Sequence, residues 1–494
     1  MRVLMTLGAS VGAAAALFVP SVSAAAAPAD PLAAFHHQKL SWTTCDLKEL
    51  DDAGARCADV TVPLDYANPR GKTIKIAISR LKATGPRLGA MLINGGGPGP
   101  AIDMPPYIRD ITPKAGPRFD LIGMDPRGLG RSTPVDCGWP SGTWIRSAGV
   151  DRRGFDAGVT FARTLAQRCV AKYGSYLPYI STRNIARDMD VVRAALGEKK
   201  ISYNGASYGT YLGAVYAALF PGRLDRAVLD SNVDPDRWSA RLLQDGEQAN
   251  EQGLARWADW ASRRDATYHL GRTREDVLAT VRNTITRAGR SPLLVGPYKV
   301  DASTIPTVLF NLLGNDHDEH RAALAAAASD LNRAAHGVHV PATGALDESL
   351  AFVLTGTDSL YGSGQSAIIC GDAPATRNPE TYWRDVQRQR SVHPVFGPLG
   401  ENINPCAFWP APRESLTKVR TTLPSLLIGA TGDTRTIYAG SQALHRDLKG
   451  SRLITLNADV HAPYQASYGN ACLNKTVDDY LLTNRLPAAD TTCA

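Results

Sequence analysis

The chain has 494 residues and a formal net charge of +7, from 54 Lys and Arg against 47 Asp and Glu. That length buries one large core or two smaller ones. A charge so small for the length, with no basic block interleaved with aromatics, excludes a nucleic-acid partner.

Residues 1–26 read as a secretory signal peptide: Arg2, an apolar run from Val11 to Val19, then small residues ending Val22-Ser23-Ala24 and Ala24-Ala25-Ala26. No later segment has the roughly 18 unbroken apolar residues of a membrane span. A secreted, extracellular protein with no membrane partner after signal cleavage is expected, and a monomer. Eight cysteines suit that compartment, and none forms a C-x-x-C pair, which argues for disulfides over zinc or thiol redox chemistry. They fall into four sequential pairs, so nearest-neighbour bridges are expected: Cys45–Cys57, Cys137–Cys169, Cys370–Cys406 and Cys472–Cys493.

After the signal, Lys72 to Leu81 alternates with Ile74, Ile76 and Ile78 on one face, the period of a half-buried strand in a lead-in hairpin with Val60-Thr61-Val62-Pro63. Leu88 to Ile93 is a continuous apolar run that stops at Asn94-Gly95-Gly96-Gly97-Pro98-Gly99-Pro100, and Phe119 to Met124 runs into Asp125-Pro126-Arg127-Gly128. Buried strands that end one after another in glycine turns indicate a parallel α/β sheet with its loops at the carboxyl edge. Ser181 to Leu196 has helical spacing, with Gly197 as its stop. Ile201 to Tyr203 and Ala227 to Leu229 are further strands, the second ending at Asp230.

From Pro235 to Pro405 the alternation disappears, and helical stretches such as Glu319 to Ala335 are joined by Gly and Pro-rich connections. Sheet signals return at Leu423 to Ala430 and Leu453 to Leu456. The fold class expected is α/β: a mostly parallel sheet core in two parts, 27–234 and 406–494, interrupted by a helical cap at 235–405 that is not an independent module.

The chemistry centres on Gly205-Ala206-Ser207-Tyr208-Gly209, which sits between a strand and a helical pattern. That is the context of a nucleophile elbow, where small residues flank a serine on a strained turn. The pattern alone is weak: Gly8-Ala9-Ser10-Val11-Gly12 also matches, inside the signal. Acyl transfer also needs a base, an acid to orient it and donors for the oxyanion. In this architecture they follow in the order Ser, Asp or Glu, His. Asp433 follows the strand ending at Ala430, and His461 follows the strand ending at Leu456, so these are the expected acid and base. Asp230, also at a strand end, is the rival acid. The oxyanion donors would be the backbone N–H groups of Tyr208 and Gly97. Asp316-His317-Asp318-Glu319-His320 lacks the H-E-x-x-H spacing and reads as an acidic first helical turn, so no metal is expected. No Gly-Lys-Ser or Gly-Lys-Thr follows the glycine loop, so no nucleotide is expected either.

The mature chain from about Trp42 to Cys493 resembles the secreted tripeptidyl aminopeptidases of the prolyl aminopeptidase class of α/β-hydrolases. The resemblance rests on Val62-Pro63-Leu64-Asp65-Tyr66, Gly96-Gly97-Pro98-Gly99, Asp125 to Ser132, Gly205 to Gly209 with Thr210, Leu229-Asp230, Cys370-Gly371-Asp372, Pro405-Cys406 with Trp409-Pro410, and the tail around Cys472, Tyr480-Leu481, Leu486-Pro487 and Cys493. It implies a serine protease without a cofactor, removing short peptides from substrates with free N-termini, with Ser207, Asp433 and His461 as the triad. Three departures, Thr436-Ile437 for Thr-Pro, Val460 for glycine and Pro100-Ala101 for Gly-Ser, lie in substrate-facing loops. They leave the length of the released peptide, di- or tripeptide, open. They also keep alive a carboxylesterase or amide hydrolase acting on a small metabolite. An aminopeptidase needs a carboxylate for the substrate's ammonium group, whose desolvation is otherwise costly. Asp372 in the cap is the expected anchor, with Glu319 and Glu348 in reserve.

Overall fold

Nine strands form one mixed sheet in a computed structural model that describes residue 8 and residues 30–239 and 241–494. The expected signal peptide lies, Gly8 apart, outside the described residues. The strands are β1 (Arg56–Pro63), β2 (Thr73–Leu81), β3 (Gly89–Asn94), β4 (Phe119–Met124), β5 (Ile201–Ala206), β6 (Leu224–Asp230), β7 (Leu426–Ala430), β8 (Arg452–Leu456) and β9 (Thr491–Cys493). Their spatial order is β1-β2-β4-β3-β5-β6-β7-β8-β9. The lead-in hairpin pairs Val62 with Ile74 and Val60 with Ile76, and β2 lies antiparallel to β4. All pairings from β4 to β9 are parallel.

Register decides where the loops gather. Asn94 pairs with Gly205, Ala206 with Asp230, and Ala430 with Leu456, so the chain leaves one edge of the sheet at the ends of five strands. The central strands read as apolar runs because helices cover both faces. Helix Thr182–Ala195 is capped by the Ser181 hydroxyl and buries Ile185, Met189 and Val192; helix Tyr208–Leu219 packs beside it.

Between β6 and β7 the chain is mainly helical. Helices such as Glu247–Ser262, Arg274–Arg290, Ile305–Leu312 and Asp318–Ala335 enclose an apolar cluster of their own that includes Leu254, Trp257, Val281, Leu309 and Leu331. One hairpin, Leu293–Val295 with Tyr298–Val300, interrupts the all-helical expectation. Its strands are too short for a periodic signal. Helix Arg152–Tyr173 and strand β9 are likewise additions to the expected elements. β9 is three residues long and is positioned by pairing with β8 and by the Cys472–Cys493 bridge. Disulfides also join Cys45 to Cys57, Cys137 to Cys169 and Cys370 to Cys406. The third ties helix Ser359–Asp372 to the turn Pro405–Phe408.

The segment after β4 and helix Thr182–Ala195 share a fully buried ion pair. Arg127 and Asp188 are both 0% exposed. Arg127 Nε and Nη2 donate to the carboxylate at 2.7 and 2.6 Å, and its other N–H groups reach the carbonyls of Leu64, Tyr179 and Pro63. The Tyr66 hydroxyl donates to the same carboxylate at 2.7 Å. Removing one partner strands a charge in a medium that cannot solvate it. Asp188→Ala is therefore expected to lower stability by about 3–5 kcal/mol in equilibrium denaturation; a loss under about 1 kcal/mol would mean that water reaches Arg127.

Candidate active site

Ser207 ends β5 with φ 53° and ψ −125° and opens helix Tyr208–Leu219. A non-glycine residue there is strained, and its surroundings leave it no alternative. A Cβ on Gly205 would stand 2.5 Å from Tyr203 Cε1 and 2.7 Å from the Gly209 carbonyl oxygen, and one on Gly209 would stand 2.6 Å from the Asn94 carbonyl oxygen. Both flanking glycines are therefore demanded by close packing. From Ile201 to Ala217, Ser207 alone is not buried, so the turn lifts the hydroxyl out of the core.

Gly96 of the β3 loop meets this elbow: a Cβ on it would lie 2.7 Å from Ser207 Cβ and 3.2 Å from the Tyr208 nitrogen. The Gly96 N–H is taken by Asn94 Oδ1 at 3.0 Å. The N–H groups of Gly97 and Tyr208 have no acceptor among the described residues. Two backbone donors thus stay open beside Ser207, at the positions expected of an oxyanion hole.

The loop after β7 holds Asp433 with its side chain 0% exposed, and the loop after β8 holds His461. His461 Nδ1 lies 3.0 Å from both carboxylate oxygens of Asp433. Asp433 Oδ1 also accepts from the N–H groups of Arg435 and Thr436, at 2.8 and 3.1 Å, and Oδ2 accepts from the Thr436 hydroxyl at 2.9 Å. Burial alone would raise this carboxyl, but the adjacent imidazole and the hydrogen bonds from His461, Ser231 and Arg435 hold it below the ordinary carboxylate value. An ionised acid so held fixes the imidazole tautomer, leaving Nε2 to face a nucleophile. Nε2 has no hydrogen-bond partner among the described residues.

Asp230 occupies a different place from the one a rival acid needs. Its Oδ2 accepts from the backbone N–H groups of Tyr464 and Gln465, both at 2.9 Å, and Oδ1 has no partner among the described residues. Burial pushes it up to about 7, against those donors and the nearby His461. It holds the backbone of the histidine loop. Ser231 adds a second tie, its Oγ accepting the Ala462 N–H at 2.8 Å. Ser231 and Thr436 were not singled out as site residues from the sequence, although each directly follows or neighbours a residue that was.

Asp372 is turned away from an amine-binding role. Its Oδ1 accepts the Thr182 N–H at 2.7 Å, and Oδ2 accepts the Thr182 hydroxyl and the Trp238 indole N–H, the latter at 2.8 Å. Burial pushes the carboxyl up to about 6. Because the Thr182 hydroxyl gives its hydrogen to Asp372, it accepts from the Tyr208 hydroxyl 2.9 Å away, so Asp372 supports the side chain of the residue after the nucleophile. Glu319 and Glu348 are both exposed. The run 316–320 ties the cap to the histidine loop: Asp316 accepts from the Asp459 N–H and the Tyr468 hydroxyl at 2.8 and 2.9 Å, and His317 stacks on Tyr468. Among the described residues no group of three or more His, Cys, Asp or Glu is arranged to hold a metal.

A family described as TAP-like protein matches residues 393–493. Over 92% of this chain and 86% of its own length, a tripeptidyl aminopeptidase of Streptomyces lividans is 35% identical. The serine protease Hip1 of Mycobacterium tuberculosis is 29% identical over 92% of this chain and 91% of that protein, and carboxylesterase B of the same species is 31% identical over 92% and 90%.

Asp433→Asn is expected to lower kcat by a factor on the order of 10⁴ by disturbing the imidazole tautomer, with Asp230→Asn much milder; steady-state rates in the opposite rank would transfer the acid to β6. The folded value of Asp230, about 7, lies above its ordinary 3.8. Between those values the folded state binds more protons than the unfolded chain, so this carboxyl's contribution is complete below about pH 4 and is lost as pH rises to about 7. The stability difference between wild type and Asp230→Asn, followed by denaturation from pH 4 to 8, should move against wild type across that window. A flat difference would show that Asp230 is already ionised at low pH.

Proposed function

The chain belongs to the tripeptidyl aminopeptidase family of α/β-hydrolases, and on that premise we propose that it is an exported serine exopeptidase releasing tripeptides or dipeptides from free N-termini. The reading is supported by the Asp433–His461 pair at the ends of β7 and β8, together with a strained Ser207 that is not fully buried and has two open N–H donors beside it. Ser207 Oγ attacks the scissile carbonyl carbon as His461 Nε2 takes its proton. Asp433 stabilises the imidazolium, and the N–H groups of Tyr208 and Gly97 receive the oxyanion. Collapse breaks the C–N bond, His461 protonates the leaving amine, and water repeats the sequence on the acyl-enzyme to restore Ser207. No cofactor enters these steps.

Four disulfides support export, and among the described residues no helix is long and apolar enough to cross a membrane. We take 27–234 and 406–494 as the two parts of the core, with 235–405 as its cap and a monomer as the working unit. A second reading, hydrolysis of a small ester or amide, is favoured by the carboxylesterase relative of equal coverage.

A serine-directed fluorophosphonate is expected to label Ser207 alone, and Ser207→Ala is expected to abolish both labelling and turnover. Tripeptidyl and dipeptidyl chromogenic amides with a free amine should be cleaved far faster than their N-acylated forms. Equal rates on blocked peptides, or turnover confined to acyl esters, would replace the aminopeptidase reading with the esterase one.

A further inference from the structure

We propose that Tyr361, carried by the cap on helix Ser359–Asp372, donates its hydroxyl hydrogen to the acyl carbonyl oxygen of the substrate and forms a third arm of the oxyanion site. The inference rests on Ser207 being the nucleophile. It begins with the glycine loop, which has two neighbours on successive residues. Gly96 faces the elbow, as described above. Gly97 faces the cap: a Cβ on it would stand 3.1 Å from Tyr361 Oη, and a Cβ on Gly99 would stand 3.2 Å from Tyr361 Cε2. The same short stretch of glycine backbone therefore lies against both the phenol and Ser207, and the absence of side chains lets both approach it. The ring is held by an edge contact with Phe352, their centroids 5.9 Å apart, and Tyr361 is not fully buried.

Which way the phenol hydrogen points follows from donor counting. The Trp144 indole N–H can only donate, and it lies 3.1 Å from Gln365 Oε1. That contact fixes the Gln365 amide, since the flipped amide would set N–H against N–H. Gln365 Nε2 then faces Tyr361 and donates to its Oη at 3.2 Å. The phenol oxygen is consequently an acceptor from Gln365, and its own hydrogen is left over, with no acceptor among the described residues. Burial raises the phenol above its ordinary value, so the group stays protonated and remains a donor while negative charge grows on the carbonyl oxygen. No proton needs to be transferred; the bond strengthens as the oxyanion forms and weakens as it collapses. Tyr361 would then be a catalytic residue, with Gln365 and Trp144 as positioning residues.

An oxyanion donor acts on every acyl substrate, whereas an amine anchor or side-chain subsite acts only on peptides. The test is Tyr361→Phe in the full mature enzyme, which keeps the ring and removes the hydroxyl. On both a tripeptidyl anilide and p-nitrophenyl acetate, kcat is expected to fall roughly 10²-fold with KM nearly unchanged, while the endpoint of fluorophosphonate titration stays at one site per chain. Gln365→Leu, which frees the phenol to rotate, should lower kcat in the same direction by less. The proposal is overturned if Tyr361→Phe keeps kcat within about twofold of wild type on both substrates, or if its loss is a KM effect confined to peptides. Wild-type enzyme that is neither labelled at Ser207 nor active would instead bring down the serine-hydrolase reading itself.

Discussion

Everything at the catalytic edge depends on the backbone of Ser207 being kept at a positive φ. Such a conformation costs about 1–3 kcal/mol and persists only where neighbours over-determine it. Here the Ser207 N–H donates to the Asp230 carbonyl at 2.9 Å, and the Ser207 carbonyl accepts from both the N–H and the hydroxyl of Thr210, at 2.9 and 2.7 Å. The Thr210 oxygen in turn accepts the Val233 N–H at 3.0 Å. The turn is thus bonded to the exit of β6 on one side and to its own helix on the other. The glycines at 205 and 209 are the price of letting β3, β5 and that helix converge so closely.

The helical segment between β6 and β7 is bonded to the loops that carry Asp433 and His461. Asn250 donates to the Thr434 carbonyl at 2.7 Å, the Thr434 hydroxyl donates to the Leu313 carbonyl at 2.8 Å, and the His461 N–H donates to the Gly314 carbonyl at 3.0 Å. With Asp316 on the Asp459 N–H, residues of this segment hold both the Asp433 loop and the His461 loop. Each bond is worth only about 0.5–1.5 kcal/mol net, but leaving its buried partner unpaired costs more. Displacing this segment would break several of these at once, so its position and the imidazole orientation are mechanically coupled.

Two buried carboxylates at neighbouring strand ends show how environment assigns roles. Asp433 receives an imidazole and four further donors and stays below the ordinary carboxylate value. Asp230, equally buried, receives two backbone N–H groups and one unpaired oxygen, and rises to about 7. The first suits stabilisation of a cation that appears during reaction. The second suits a fixed scaffold for the loop that carries His461.

The sequence by itself determined the elements whose signal is local. Apolar runs stopping at glycine turns located β3, β4 and β5, period-2 alternation located β2, and Ser181 marked the start of helix Thr182–Ala195. The order of Ser207, Asp433 and His461 at strand ends was equally legible, because chain order and turn chemistry need no third dimension. What only the tertiary structure decided were the contacts between segments distant in sequence. Asp230 and Asp433 are both strand-end aspartates in the sequence; register and the path of the histidine loop place only one of them on the imidazole. Asp372, the expected anchor for a substrate ammonium group, instead meets Thr182 and Trp238, which come from either side of the elbow. Tyr361 had no signal at all, since a lone tyrosine on a cap helix acquires meaning only from the glycine loop it meets, more than 250 residues earlier in the chain. Local patterning encodes elements and turns, but the donor and acceptor pairs that assign a buried polar group its role form only when those elements pack.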